Sequence, residues 1–214
     1  MKRIAILTSG NQWFVPYAQK LHEQIPGSEL FFDHKEIDAS FNVVFILSYH
    51  KIIEENYLKK HNHNIVVHES DLPEGKGWAP MFWQILEGKN NIIFSMFEAS
   101  NGVDDGDIYL QKTLRLTGYE LNKELRKKQG NLTIDMCHDF LKIDTPSVVK
   151  KSQSGNESFY KKRTSEDSQL NINKSIKEQF NLLRIVDNDN YPAFFEVDGH
   201  KYRLKIEEVP NENR

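Results

Sequence analysis

At the usual ~150 residues per domain, 214 residues give a prior of about 1.4 domains, so one full core with a small appendage fits better than two equal halves. The 28 basic and 31 acidic residues leave a net charge of −3, which speaks against a non-specific nucleic-acid binder. No apolar run nears the ~20 residues that cross a bilayer, and the single Cys137 excludes an internal disulfide framework or a multi-cysteine zinc site. Only four apolar residues separate Met1-Lys2-Arg3 from Thr8-Ser9-Gly10, too few for a signal-peptide core, so a soluble, cytoplasmic protein is expected.

Ile4 to Thr8 reads as a buried strand stopped by Ser9-Gly10-Asn11. Val15, Ala18, Leu21 and Ile25 follow with helical spacing that ends at Pro26-Gly27. Leu30 to Phe32 predicts a second strand, and Val43 to Leu47 a third that is apolar at every position, as in parallel sheets covered on both faces. Ile52 to Leu58 reads as a short helix and Asn64 to His68 as a fourth strand. The alternation implies an α/β, mostly parallel open sheet that binds ligands at the carboxyl ends of its strands.

Past Pro80, Phe82, Ile85 and Leu86 mark a helix closed by Gly88. Strands are predicted over Ile92 to Glu98 and Ile108 to Leu116, then a long amphipathic helix over Tyr119 to Leu141 that Gly130 weakens. Composition changes at Pro146. Ser147 to Asn173 is polar and reads as either a linker or an irregular ordered arm. A helix over Ser175 to Ile185 precedes a hairpin, Ala193 to Val197 and Tyr202 to Ile206, turning at Asp198-Gly199, and Asn211 to Arg214 is expected to fray. The hairpin's alternating Phe195, Val197, Tyr202 and Leu204 either pair across a homodimer or close the chain's own sheet. The implied division is a catalytic domain, 1–145, and a C-terminal arm with a small α+β subdomain, 146–214.

Two stretches carry candidate chemistry. His68 is the first residue after an apolar run and begins the polar, glycine-rich segment that reaches Pro80; it is either a surface histidine or a site residue at a strand end. Val103-Asp104-Asp105-Gly106-Asp107 is an acidic turn, and the spacing and closing Glu of a calcium loop are absent from it.

Taken together, the run His68-x-Ser70-x-Leu72-Pro73-x-x-Lys76-Gly77-x-x-Pro80-x-x-Trp83-x-Ile85-x-x-Gly88 and the later Asp104-x-Gly106-Asp107-Ile108 resemble the formyltransferases that use 10-formyltetrahydrofolate. The resemblance covers residues 1 to about 140 and implies a Rossmann-like core with His68 and Asp104 as the catalytic pair. The region after it, Phe159-Tyr160-x-x-Arg163-x-x-Glu166-Asp167, is similar to that of sugar N-formyltransferases, whereas a tRNA formyltransferase would carry a larger basic domain. The implied substrates are 10-formyltetrahydrofolate and a nucleotide-linked amino sugar, foremost UDP-4-amino-4,6-dideoxy-N-acetyl-altrosamine of pseudaminic acid-type surface glycans, alternatively a dTDP-amino sugar. No metal, nucleic acid or membrane is implied. A non-catalytic binding protein and an α/β scaffold are the readings from other classes.

The resemblance puts the pterin between Tyr49, His50, Ile52 and Ile53 on one loop and Phe97, Glu98 and Asp104 on another. Asn11, Gln12, Trp13, Glu69, Lys76, Trp78, Tyr160 and Arg163 are the candidates for the acceptor. Among them, Trp13 reads equally as core, Lys76 as solvated and Arg163 as a surface ion pair. One position departs from the family pattern. The family asparagine two residues before the histidine is Val66 here, and Asn64 lies two residues further back on the same strand face, about 7 Å away.

Overall fold

The computed structural model describes residues 2–143 and 150–209. The expected domain boundary at 145/146 and the fraying of Asn211 to Arg214 lie outside the described residues. In chain order the chain forms β1 (Ile4–Leu7), α1 (Val15–Gln24), β2 (Glu29–Phe31), β3 (Val43–Ile46), α2 (Glu55–Leu58), β4 (His63–His68) and β5 (Lys76–Gly77). Then come α3 (Pro80–Leu86), β6 (Asn91–Glu98), β7 (Ile108–Arg115), α4 (Asn122–Lys142), β8 (Phe159–Tyr160), α5 (Phe180–Ile185), β9 (Ala193–Val197) and β10 (His200–Leu204).

A six-stranded sheet runs β2-β1-β3-β4-β6-β7. Its first four strands pair in parallel, β6 is antiparallel to both neighbours, and β7 therefore points the same way as β4. Alternation along the strands splits the core in two. Ile6, Val43, Phe45, Ile65 and Val67 face α1, α3 and α4, where they meet Phe14, Leu21, Phe82, Ile85 and Phe140. Ala5, Leu7, Val44 and Ile46 face the other way, against Ile37, Phe41, Tyr57 and Leu58. At about 1.5–3 kcal/mol for each buried large apolar side chain, both layers are needed to order a sheet of this size.

The helices begin and end as their sequences dictate, with three differences. Pro16 opens α1, Pro80 opens α3, and Gly88 (φ 87°) closes α3. α2 spans only Glu55–Leu58, because Ile52 is 90% exposed and only Tyr57 and Leu58 bury a face. The helix expected over Ser175 to Ile185 is a short 3₁₀ turn (Lys177–Gln179) followed by α5. Gly130 lies buried in α4 where the Tyr17 ring packs on its backbone; an added Cβ would come 2.4 Å from the ring, so this glycine serves helix packing.

The polar stretch after residue 149 is an ordered arm. Lys151 pairs with Ile108, and β8 runs parallel to β5. Leu170, Leu183, Val186 and Ala193 build a small satellite core beneath the β9–β10 hairpin, whose Asp198 (φ 49°) and Gly199 (φ 79°) form the two-residue turn. Arg184, 1% exposed, ties this unit to the sheet through Glu120 Oε2 (3.3 Å) and Asn90 Oδ1 (3.2 Å).

Candidate active site

The site grows from the end of β4. Even-numbered residues of this strand face away from α4, so Asn64, Val66 and His68 share one side. His68 is 7% exposed, and its Nε2 donates to the Gly75 carbonyl at 2.9 Å. That bond fixes the proton on Nε2 in the neutral ring. Asp104 Oδ2 lies 3.7 Å from the same nitrogen. Thirty-six residues of chain separate the two, and the sheet closes the gap. Asp104 adopts φ 52°, and its Oδ2 accepts the Gly77 amide at 2.9 Å. One three-residue segment, Gly75 to Gly77, thus holds both side chains. Gly77 has φ 96°, and a Cβ there would meet the Tyr160 carbonyl at 2.6 Å, so β5 can pair with β8 only through glycine.

The loop that presents Asp104 is drawn tight at its base. Glu98 N donates to Asp107 O at 3.0 Å, and Gly106 packs so closely that a Cβ would fall 1.5 Å from the Glu98 carbonyl oxygen. From the arm, Gln153 Nε2 donates to both Asp104 O (2.8 Å) and Gly106 O (2.9 Å). Ser158 Oγ accepts the Gly75 amide at 2.8 Å. Asn101 Nδ2 reaches Glu55 Oε2 at 3.2 Å, which joins this loop to the first residue of α2. Ile52 and Val103, 90% and 64% exposed, stand uncovered on the loop before α2 and on the Asp104 loop.

Next to the His68–Asp104 pair lies an exposed polar and aromatic cluster. Trp78, 39% exposed, has the His50 ring at its edge (centroids 5.1 Å apart) and Lys162 Nζ 4.9 Å over its face. Gln12 Nε2 approaches His50 Nδ1 at 3.3 Å, and the His50 amide donates to Ser9 Oγ. Partial desolvation and the Lys162 charge hold the His50 imidazole below its usual range, hence neutral at pH 7. Asn11 is exposed on the same loop as Gln12.

Several expected site residues turn elsewhere. Lys76 is neither solvated nor open to an acceptor: it is 2% exposed and held by Asp105 Oδ1 (2.9 Å) and Glu157 Oε1 (2.7 Å). Glu69 points to the opposite face from His68, where Gln129 Nε2 donates to it at 2.6 Å. Trp13 packs on Phe14 and Tyr17 beneath the Arg126 guanidinium. Tyr160 stacks on Trp83 (9° between planes) and donates to Glu87, while Arg163 donates to Asp167 O. Tyr160 thereby staples the arm to α3, and Arg163 braces the arm itself. Phe97 is buried with Leu72 and Ile108. Glu98 receives the Tyr109 hydroxyl at 2.7 Å and binds His63, a structural network. Tyr49 anchors its loop to His34, and Ile53 packs against the core layer of Ala5, Leu7, Val44 and Ile46. Asn64 donates to the Leu58 carbonyl, so no side-chain amide of β4 stands beside His68; the neighbouring wall is the Val66 side chain. Gln153, Glu157, Ser158 and Lys162 carried no signal in the sequence, since a polar arm does not show which of its residues reach the neighbouring loops.

The formyl transferase family profile matches residues 28–135, a span that includes both His68 and Asp104. The chain belongs to the formyl transferase family. A methionyl-tRNA formyltransferase of Lactobacillus johnsonii is 26% identical over 184 residues, 85% of this chain and 58% of the relative. The chain spans about half to three-fifths of the length of the first curated relatives it matches. Among solved structures, a methionyl-tRNA formyltransferase from Clostridium thermocellum superposes with TM-score 0.81 at 20% identity, covering 100% of this chain and 96% of that one. A sugar N-formyltransferase from Shewanella sp. FDAARGOS_354 superposes with TM-score 0.70 at 16% identity, covering 98% and 100%. These likenesses establish the Rossmann-like formyltransferase fold.

Proposed function

We propose that the chain transfers a formyl group from 10-formyltetrahydrofolate to the amine of a nucleotide-linked amino sugar. The observation that carries this reading is the His68 Nε2 to Asp104 Oδ2 approach of 3.7 Å at the carboxyl end of β4, within the family segment. UDP-4-amino-4,6-dideoxy-N-acetyl-altrosamine is the first acceptor to try and a dTDP-amino sugar the second. When bound, the folate supplies the formyl carbon. The loops that carry Ile52 and Val103 suit its pterin, because they carry apolar side chains without cover and Asn101 ties the second to Glu55 at the start of α2.

Transfer to an amine needs a neutral nitrogen, a donor for the oxygen that gains charge, and a route for one proton. His68 is suited to the last two. Its Nε2–H already donates to the Gly75 carbonyl, so an incoming acceptor oxygen exchanges one hydrogen bond for another at little net cost. Asp104 offsets positive charge on the ring and is itself fixed by the Gly77 amide. With Val66 at the position of the family asparagine, His68 and a main-chain amide or water share the oxyanion role.

The acceptor side is supported by Trp78 and Lys162, an aromatic face and an ammonium that match a nucleobase and a diphosphate, with Gln12, Asn11 and neutral His50 as hydrogen-bonding groups. The near-neutral net charge favours such a small acceptor over RNA. The second reading, transfer to methionyl-tRNA, is favoured by the relatives. A homodimer through the β9–β10 hairpin, where Val197 and Tyr202 are exposed, belongs to the same proposal. The test is a mass-shift assay with 10-formyltetrahydrofolate and a panel of UDP- and dTDP-amino sugars beside methionyl-tRNA. A formylated sugar supports the proposal, formylated tRNA selects the second reading, and no product from any acceptor refutes both.

A further inference from the structure

We infer that Lys76 is a positioning residue: its ammonium clamps the Asp104 loop and the 150–160 arm onto the segment that holds both catalytic side chains. The inference rests on the formyl-transfer reading of His68 and Asp104. Withdrawing an ammonium from water costs several kcal/mol unless carboxylates replace the water, and here two do, Asp105 at 2.9 Å and Glu157 at 2.7 Å. Burial works against the charge of Lys76, yet its hydrogen bonds to Glu157 and Asp105 prevail and raise its pKa above the ordinary lysine value. The two carboxylates come from different parts of the chain. Asp105 follows Asp104 directly, while Glu157 lies on the arm just before Ser158, whose carbonyl accepts the Lys76 amide at 2.9 Å.

The main-chain neighbours of Lys76 give the clamp its consequence. On one side the Gly75 carbonyl holds His68 Nε2, and on the other the Gly77 amide holds Asp104 Oδ2. Without the ammonium, Asp105 and Glu157 become two like charges facing each other across the gap. Their repulsion drives the loop and the arm apart and lengthens the His68–Asp104 approach. The same geometry argues against a phosphate at Lys76, since two carboxylates already surround it and leave its neighbourhood negative.

The experiment compares wild type with Lys76→Met, Lys76→Arg and Glu157→Gln, reading kcat, both KM values, and amide hydrogen exchange at Gly77. Lys76→Met is expected to lower kcat about tenfold to a hundredfold, as for a misplacement of about 1 Å, with both KM values within about twofold of wild type. Gly77 exchange should quicken about tenfold or more while β1 and β3 amides keep their rates, and Lys76→Arg should recover part of both effects. If Lys76→Met does not fold, Glu157→Gln gives the same pattern more weakly, because Asp105 still pairs with Lys76. An acceptor KM about tenfold higher at unchanged kcat would make Lys76 a substrate contact and overturn the inference, as would unchanged kcat and exchange. If wild type formylates nothing, the functional reading fails, and Gly77 exchange alone still decides the clamp.

Discussion

Replacing Gly106 by alanine tests how the Asp104 carboxylate is held. A Cβ at 106 would lie 1.5 Å from the Glu98 carbonyl oxygen and 2.7 Å from its carbon, where ordinary contact begins near 3.4 Å. The loop must therefore move by about 2 Å, since neither backbone can yield in place. That shift breaks Glu98 N to Asp107 O and Gln153 Nε2 to Gly106 O, at about 1 kcal/mol each, so unfolding free energy should fall by about 2 kcal/mol. It also carries Asp104 away from His68. At an effective dielectric constant of about 20, the attraction between a carboxylate and a protonated ring at 3.7 Å is about 4.5 kcal/mol, and 2 Å further out it is about 2.9. The difference of about 1.6 kcal/mol corresponds to roughly 15-fold in turnover. Urea titration with steady-state formyl transfer, before and after Gly106→Ala, reads both numbers. A variant with wild-type stability and kcat would refute the claim that this packing sets the Asp104 position.

Three further outcomes follow from the packing and the charges. Gly130→Ala should destabilise the protein by about 1–2 kcal/mol in urea unfolding, because overpacking against Tyr17 outweighs the roughly 1 kcal/mol gained in helix propensity. Burial pushes the Glu120 carboxyl up, but the Thr117 amide and the Lys128 ammonium outweigh it and bring it down to about 2. Its folded value lies below its unfolded one, so its contribution of up to about 3 kcal/mol is complete above pH 4.5 and vanishes as pH falls toward 2. Unfolding titrations of wild type and Glu120→Gln across that window should converge at the acid end. Trp78→Ala should raise the acceptor KM about tenfold, the loss of one stacked base, and leave the folate KM unchanged; equal changes in both would separate Trp78 from the acceptor.

The order of strands and helices was legible because β1 and β3 are apolar at every position and proline or glycine marks the ends of α1 and α3. The place of His68 was legible for the same reason, a polar side chain at the end of a buried strand. Sequence did not disclose which way side chains turn where strand and loop meet. Glu69 follows His68, and the period of two sends it to the Gln129 side. Phe97 and Glu98 were expected to border the pterin, but one is apolar enough to join the core and the other satisfies a buried hydroxyl and histidine. Lys76 reads as a free cation between two glycines, because its partners sit 29 and 81 residues away and no local pattern links them. The arm read as either a linker or an irregular ordered segment for want of apolar periodicity, and its order comes from Lys76, Gln153 and the Trp83–Tyr160 stack.

Single-turnover formyl transfer by His68→Asn, beside wild type and with the acceptor selected by the panel, bears most directly on the imidazole's part in the chemistry. Loss of that group should slow the chemical step by about 10² or more while the protein still binds folate. A variant that formylates the acceptor at the wild-type rate would contradict the account.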